Sequence, residues 1–400
     1  MKYAFLSIAL TFLLMSMSNC EKTDPQGKSV NISSDFAAKT SNFAFDFWKN
    51  IQKTESTNSN YFVSPLSLHI ALGMLLNGAD TETKTEIQKV LGLENQSMDE
   101  INKTYKELID NLPLVDPKVV NTIANSVWQN KDFTPEADYI STLTANFNTR
   151  LYKEDFSSTS TVDKINQWAS DNTNSKIKKI IDQISPDQVM FLINALYFKG
   201  DWSKAFKTSN TSSEQFFGSS ATKNVDMMHQ TEEFKFAELN EYKLIELPYG
   251  NEKYVMNIIL PNNGNLESLI NNYYSEKWSA AINSMIKTKV EVGLPKFKIE
   301  YSKKLNSVLE NMGMKKAFTD SADLSKIAKP AGKLKVDFVK QDTYVAVDEK
   351  GTEAAAVTSI GISVTSLPVY PEFKCNKPFA FLITEKTSNT IMFIGKVSNL

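Results

Sequence analysis

The chain of 400 residues holds two cysteines, Cys20 and Cys375, and two histidines, His69 and His229. The cysteines lie far apart with no Cys-x-x-Cys and the histidines are equally isolated, so no Cys/His cluster can be assembled and no metal is expected. Cationic excess is also missing: 44 Lys plus Arg against 46 Asp plus Glu give a formal charge of −2. Nothing is left over to neutralise a phosphate backbone, which excludes nucleic acid as a partner. The chain carries no Gly-x-Ser-x-Gly elbow, no His-Glu-x-x-His and no Gly-x-Gly-x-x-Gly. His69 sits in an apolar stripe and His229 follows a methionine pair, so neither has the setting of a catalytic triad. Gly27-Lys28-Ser29 lacks the preceding glycine, strand and helix of a phosphate loop. An enzyme is not expected, nor a cofactor. What the sequence does have is 42% hydrophobic and 11% aromatic content, enough for a large core and incompatible with disorder or a small disulfide scaffold.

The amino terminus reads as an export signal. Lys2 precedes an apolar run from Ala4 to Met15, too short to span a bilayer and of the length of a secretory h-region. It ends in Met17-Ser18-Asn19-Cys20, where small polar residues before a cysteine resemble a bacterial lipoprotein cleavage site, although Asn19 is not the usual Gly or Ala. Residues 1–20 are therefore read as signal, with Cys20 as the lipidation site, and 21–34 as a polar tether. The expected location is an outer-membrane or cell-surface lipoprotein, or the periplasm, with the anchor on Cys20 as the contact with membrane.

Residues 35–400 show no long linker or internal repeat and read as a single mixed unit of α+β class. Phe36, Phe43, Phe47 and Ile51 recur at helical spacing. Ser64-Pro65 opens a second helix that ends at Asn77-Gly78, and Thr81 to Leu91-Gly92 gives a third. After Thr122, apolar runs at Val189–Tyr197, Lys243–Pro248, Tyr254–Pro261 and Lys289–Leu294 predict strands. Helices are expected again at Leu266–Ile286 and Lys303–Met312, then strands at Lys335–Val347, Phe379–Glu385 and Thr390–Val397.

One segment stands apart. From Thr352 one parity holds Thr352, Ala354, Ala356, Thr358, Ile360, Ile362 and Val364, and the other holds Glu353, Ala355, Val357, Ser359, Gly361, Ser363 and Thr365. A period of two puts each set on one face of an extended strand, the first suited to burial and the second to solvent. No proline interrupts the run before Pro368, so every amide could join a ladder. Taken alone, the segment also fits a surface loop or a resident edge strand, because Gly351 and Gly361 weaken a strand interior.

Asp348-Glu349-Lys350-Gly351-Thr352-Glu353-Ala354-Ala355-Ala356 resembles the reactive-loop hinge of the serpins. Asn60-Tyr61-Phe62-Val63-Ser64-Pro65-Leu66-Ser67 is similar to their shutter segment. Asn194-Ala195-Leu196-Tyr197-Phe198-Lys199-Gly200-Asp201-Trp202 resembles the strand and turn that carry the breach tryptophan. Leu294–Ile299, Met312-Gly313-Met314, Asn376–Phe379 and Phe393–Val397 follow in the same order, so the resemblance covers Phe36 to Leu400. It implies helices around a large central β-sheet plus two smaller sheets, with an exposed reactive-centre loop at about 349–370. Hinge residues would be Glu349, Lys350, Gly351, Thr352, Glu353, Ala354, Ala355, Ala356 and Val357, and shutter and breach residues Ser64, Ser67, Asn194, Trp202 and Gln341. Gln341 stands where many animal serpins have a histidine, and an amide can also donate and accept.

The implied function is suicide-substrate inhibition of serine endopeptidases, with cysteine endopeptidases left open. Loop cleavage, acyl-enzyme trapping and strand insertion would give a covalent 1:1 complex with a monomeric inhibitor. Counting from Glu349 puts the reactive bond at Thr365-Ser366, with Val364 next. Counting back from Asn376 gives Leu367-Pro368, where proline disfavours cleavage. The rival readings are a noninhibitory binding protein of serpin fold and a periplasmic solute-binding lipoprotein. The amino-terminal reading has a direct check: the intact chain should partition with membranes, and Cys20→Ser should release it, whereas a variant still equally membrane-bound would refute lipidation.

Overall fold

The structure, a computed structural model, describes residues 27–329, 334–352 and 369–400. Helix α1 (Ser34–Thr54) begins where the Ser33 hydroxyl accepts from the Phe36 amide, and its face of Phe36, Phe43, Phe47 and Ile51 is buried. In α2 (Pro65–Gly78) Ser64 caps the first turn and Pro65 occupies a position whose amide needs no partner. That helix is buried almost all round, His69 included, and burial holds the imidazole at a pKa of about 4, neutral at physiological pH. Helix α3 (Thr81–Leu91) stops at Gly92 in the left-handed conformation, and α4 (Met98–Asn111) opens with a capping box between Ser97 and Glu100. Then come α5 (Ala137–Phe147), α6 (Thr159–Asn172), α7 (Leu266–Asn271), α8 (Ser275–Ser284) and α9 (Asn306–Met312).

The single helix expected over Leu266–Ile286 is divided into α7 and α8. The break turns Tyr273 into the core, where its ring meets Phe45 and Trp48 and its hydroxyl donates to the Tyr242 hydroxyl at 3.0 Å. A continuous helix would give up those contacts. The packed chain also starts before residue 35: Val30 is buried, and the Lys28 amide donates to the Leu114 carbonyl at 2.8 Å, so part of the segment read as tether lies on the body.

The strands are β1 (Tyr61–Val63), β2 (Val119–Asn130), β3 (Thr149–Glu154), β4 (Met190–Asp201), β5 (Thr211–Phe217), β6 (Thr222–Glu238), β7 (Tyr242–Tyr249) and β8 (Tyr254–Pro261). They continue with β9 (Ile286–Pro295), β10 (Phe297–Lys304), β11 (Lys340–Val347), β12 (Gly351–Thr352), β13 (Glu372–Lys374), β14 (Phe379–Glu385) and β15 (Thr390–Val397). β11 starts at Lys340 rather than Lys335 because the residues before it bond to loops instead of a ladder: Val336 donates to the Ala317 carbonyl and Val339 accepts from Leu305. Among the described residues six strands form one sheet in the order β10-β11-β12-β4-β2-β3, and the other nine form a second in the order β1-β15-β14-β8-β7-β6-β9-β13, with β5 on β6. The two smaller sheets anticipated from the sequence thus run into one another. Strand β6 joins them, pairing with β7 through Lys235–Glu238, with β9 through Met227–Phe236 and with β5 through Thr222–Met228.

The feature that positions the site is in the six-stranded sheet. β12 is antiparallel to both β11 and β4, so those two strands run parallel to each other, yet they share no ladder among the described residues. Only the two residues of β12 bridge them. Below that point no described strand lies between them.

Candidate functional site

At the upper end of the opening the chain leaves β11 and reverses. The Asp348 carboxylate accepts from the amides of Lys350 (2.9 Å) and Gly351 (3.3 Å), and the Asp348 amide donates to the Gly351 carbonyl at 3.0 Å. Burial nevertheless raises the Asp348 pKa above the ordinary carboxylate value, outweighing those two donors. The first three carbonyls of the turn are captured by the segment after β4: Trp202 Nε1 donates to Asp348 (3.0 Å), Phe206 N to Glu349 (2.8 Å) and Trp202 N to Lys350 (2.6 Å). Glu349 Oε1 lies 2.7 Å from Lys296 Nζ and accepts from the Thr211 hydroxyl at 2.8 Å. Burial pushes its pKa up, but these partners overcome that and hold it below the usual glutamate value. The tie is therefore complete above the ordinary glutamate range and is lost as pH falls through the lowered value.

Gly351 then enters the opening against Gly200, where a Cβ would lie 2.1 Å from the Gly200 carbonyl oxygen, so no larger residue fits without moving backbone. Thr352 is 3% exposed and pairs with Gly200 on one side and Val347 on the other. Its hydroxyl is 2.6 Å from that of Tyr249, whose ring stacks on Trp202 at 4.4 Å. Of the expected hinge residues, Glu349 and Lys350 lie in the turn and Gly351 and Thr352 form β12 between β4 and β11. Glu353, Ala354, Ala355, Ala356, Val357, the reactive-bond residues Val364, Thr365 and Ser366, and Cys20 lie outside the described residues.

Midway down, the first turn of α2 lies across the opening and takes hold of both flanking strands. Ser64 N donates to Gln341 Oε1 at 2.8 Å and Gln341 Nε2 donates to the Ser64 carbonyl at 2.9 Å, a two-way clasp on β11. Ser67 Oγ donates to Asn194 Oδ1 of β4. Asn194 Nδ2 in turn donates to Asn125 of β2 at 2.7 Å, and Asn125 to the Phe147 carbonyl at 2.7 Å. The Ser64 hydroxyl donates to Met392 at 2.7 Å, and the Thr343 hydroxyl donates to the Phe62 carbonyl. Ser64, Ser67, Asn194 and Gln341 are brought together here, while Trp202 stands at the upper end with the hinge. Thr211, Lys296, Tyr249, Asn125 and Thr343 belong to the same arrangement and had been given no role. Lys296 lay within a quoted motif, whereas the others are unremarkable strand residues in sequence.

The opening widens downward. Beside Thr352 it is a slit of about 10 Å³ lined by Phe62, Leu196, Phe198, Tyr344 and Val345. Below the Ser64–Gln341 clasp it becomes a cavity of about 460 Å³. The β4 residues facing it, Leu192, Ile193 and Asn194, are half-buried although their strand is central in the sheet.

A family model described as Serpin (serine protease inhibitor) matches residues 38–400, nearly the whole chain. The chain is a serpin. The native state of the thermophilic serpin tengpin superposes with a TM-score of 0.85 at 34% identity, over 93% of this chain and 96% of that one. Thyroxine-binding globulin in complex with thyroxine gives 0.82 at 28% identity, over 91% and 98%. The leukocyte elastase inhibitor of Xenopus tropicalis is 34% identical over 372 residues, 89% of this chain and 97% of its own. The helices and the large sheets are those of the serpin fold.

The clasp yields a stability prediction. Gln341→Ala would leave the buried Ser64 amide without a partner, at about 1–3 kcal/mol, and its carbonyl with the Leu68 amide alone. The first denaturant transition should move down by about 1–3 kcal/mol, and an unchanged midpoint would refute the clasp.

Proposed function

We propose that this serpin is a suicide-substrate inhibitor of serine endopeptidases. The observation that carries this reading is the strand-wide opening between β4 and β11 with the hinge already seated at its upper end. Continuing the register of Thr352 down the opening sets Ala354 opposite Phe198 and Val345, and Ala356 opposite Leu196 and Thr343. The same register sets Thr358 opposite Asn194 and Gln341, and Ile360 opposite Leu192. Small side chains would thus pass the narrow part lined by Phe198, Leu196 and Val345, and branched ones would reach the wide part. The taper of the loop sequence follows the taper of the opening.

In this mechanism a protease acylates itself on the loop, at Thr365-Ser366 with Val364 next, and cleavage frees the segment that starts at Glu353. Insertion then pairs backbone groups of β4 and β11 that now face the opening and buries the branched face, which makes it downhill. The protease, still esterified, is carried along and its site distorted before water completes the reaction. Partners would be target endopeptidases in a covalent 1:1 complex, with the inhibitor held at a membrane by lipid on Cys20. Thyroxine-binding globulin keeps a second reading alive, a serpin-fold carrier without inhibition. Incubation with serine and cysteine endopeptidases separates the two: a complex stable on denaturing gels supports inhibition, whereas clean cleavage by every protease tried defeats it.

Burial of Ile360, Ile362 and Val364 is worth about 5–9 kcal/mol at about 1.5–3 each. At about 2 °C per kcal/mol for a large chain, a single cut in the loop should raise the melting midpoint by about 10 °C or more. A lowered midpoint after that cut would count against metastability. Ala356→Arg would carry an unpaired charge into the sheet and slow insertion, so the variant should be cut at the parental bond yet release active protease. Ala355→Arg, on the outward parity, should remain largely inhibitory, and equal behaviour of the two would refute the register.

A further inference from the structure

The sequence contains two Asn-Gly pairs, Asn77-Gly78 and Asn263-Gly264. An asparagine before glycine can react with its own main chain: the glycine amide nitrogen attacks the side-chain carbonyl carbon and expels ammonia. Attack within one residue is unimolecular, so its rate is set by whether the backbone can bring the two atoms together. Glycine offers the least steric resistance to that approach. The fold puts the two pairs in opposite circumstances.

Asn263-Gly264 lies in the turn between β8 and α7, and both residues are exposed. The Asn263 side-chain oxygen accepts from the Asn265 amide at 3.0 Å. A bond to the amide two residues on folds the side chain forward beside the Gly264 peptide, which is the direction closure requires. The same donor faces the oxygen on which negative charge develops when the carbonyl is attacked. Gly264 has a φ of +76°, and a Cβ built on it would meet nothing within 4 Å, so its flank is open to water and to rearrangement. Its amide donates to no group among the described residues, which leaves the nitrogen able to give up its proton to solvent.

Asn77-Gly78 is the internal contrast. It closes α2, where the Asn77 side-chain nitrogen donates to the Gly73 carbonyl and to Asn102 Oδ1, both at 2.9 Å, which holds the side chain back along the helix. Asn102 returns a bond to Asn77 Oδ1 at 2.9 Å. Gly78 is buried, and a Cβ there would lie 2.3 Å from the Ile327 side chain, so the backbone has no room to turn towards the Asn77 carbonyl.

We propose that Asn263 is a self-modification site, converted without any enzyme to aspartate and isoaspartate. A bond forms between Gly264 N and Asn263 Cγ, the bond from Cγ to the side-chain nitrogen breaks, and ammonia leaves with the proton given up by the Gly264 amide. Water then opens the cyclic imide at either carbonyl, restoring an ordinary aspartyl link or leaving a β-linked one. Nothing is oxidised or reduced, and the chain gains one negative charge. The β-linked product adds a methylene to the main chain at the entry to α7 and reroutes it through Cγ, the carbonyl that holds the Asn265 amide. The reaction needs neither a protease nor loop insertion.

The test incubates the intact chain at mildly alkaline pH and maps its peptides by mass spectrometry, with isoaspartate detected separately by enzymatic methylation. The Asn263 peptide should gain the mass of an amide-to-acid exchange and resolve into two products, while the Asn77 peptide stays unchanged. In denaturant, where both pairs are free, Asn77 should react at a rate comparable to that of Asn263. Gly264→Ala should slow the reaction at 263 about tenfold or more. Asn263→Gln, an exposed substitution that keeps the amide but moves it one methylene from the attacking nitrogen, should leave the site unmodified. An Asn263 that stays an amide in the native chain while reacting in denaturant, a rate indifferent to Gly264→Ala, or Asn77 reacting in the native chain as fast as Asn263 would each overturn the site.

Discussion

Two parallel strands that lie side by side without pairing are the constraint on which the rest of this structure depends. Below Thr352, β11 has β10 as its ladder partner and β4 has β2, and neither has the other. A backbone edge in the middle of a sheet is expensive to leave unpaired, which is why natural sheets cover, shorten or close their edges. Here the two edges are held apart from beneath. The first turn of α2 reaches β11 through Gln341 and β4 through Asn194, and both attachments run through side chains rather than a ladder. Side-chain clasps fix the spacing of the strands without consuming the backbone groups that an incoming strand would use.

The electrostatics of the upper end follow from the same requirement. A chain that must double back into a sheet has three carbonyls and a carboxylate pair to satisfy within one turn. Trp202 and Phe206 take the carbonyls, the Asp348 carboxylate takes the amides, and Lys296 with Thr211 takes Glu349. Glycine at 351 follows from the same crowding, since the Gly200 carbonyl occupies the space a Cβ would need.

Much of this was legible in the sequence, and the reasons differ by element. Periodicity located α1, and Ser64-Pro65 and Gly92 marked ends of α2 and α3, because such signals act within one turn of the residues they terminate. The strands β7, β8, β14 and β15 were readable because they are buried along nearly their whole length and so appear as unbroken apolar runs. What escaped depends on contacts distant in sequence. The break between α7 and α8 exists for the sake of rings at Phe45 and Trp48, and the late start of β11 reflects bonds to Leu305 and Ala317. Glu349 and Lys296 were both within recognisable segments, but their pairing and the part of Thr211 in it arise only when β5, the end of β9 and the hinge converge. Gln341 shows how chemistry can be read ahead of geometry: an amide offers one donor and one acceptor face, and the backbone of Ser64 takes both.

The combination of a fixed hinge and an open sheet also determines the direction in which a strand can enter. Joining a distant segment to a ladder ordinarily requires closing a loop before any contact is gained, an entropic barrier paid in advance. Gly351 and Thr352 are already in register with β4 and β11, so that step is complete in the native state. If the proposed insertion occurs, each later residue would need to fix only its own backbone to add the next pair, the arithmetic of propagation rather than nucleation. In the proposed mechanism insertion from this end would be limited by what the slit beside Thr352 admits, and the size of the first inward-facing side chains would set its rate. On that proposal kinetic control would fall to a few positions immediately after the hinge and thermodynamic drive to the branched residues farther along the sequence, two demands that a single strand can meet only if its composition changes along its length.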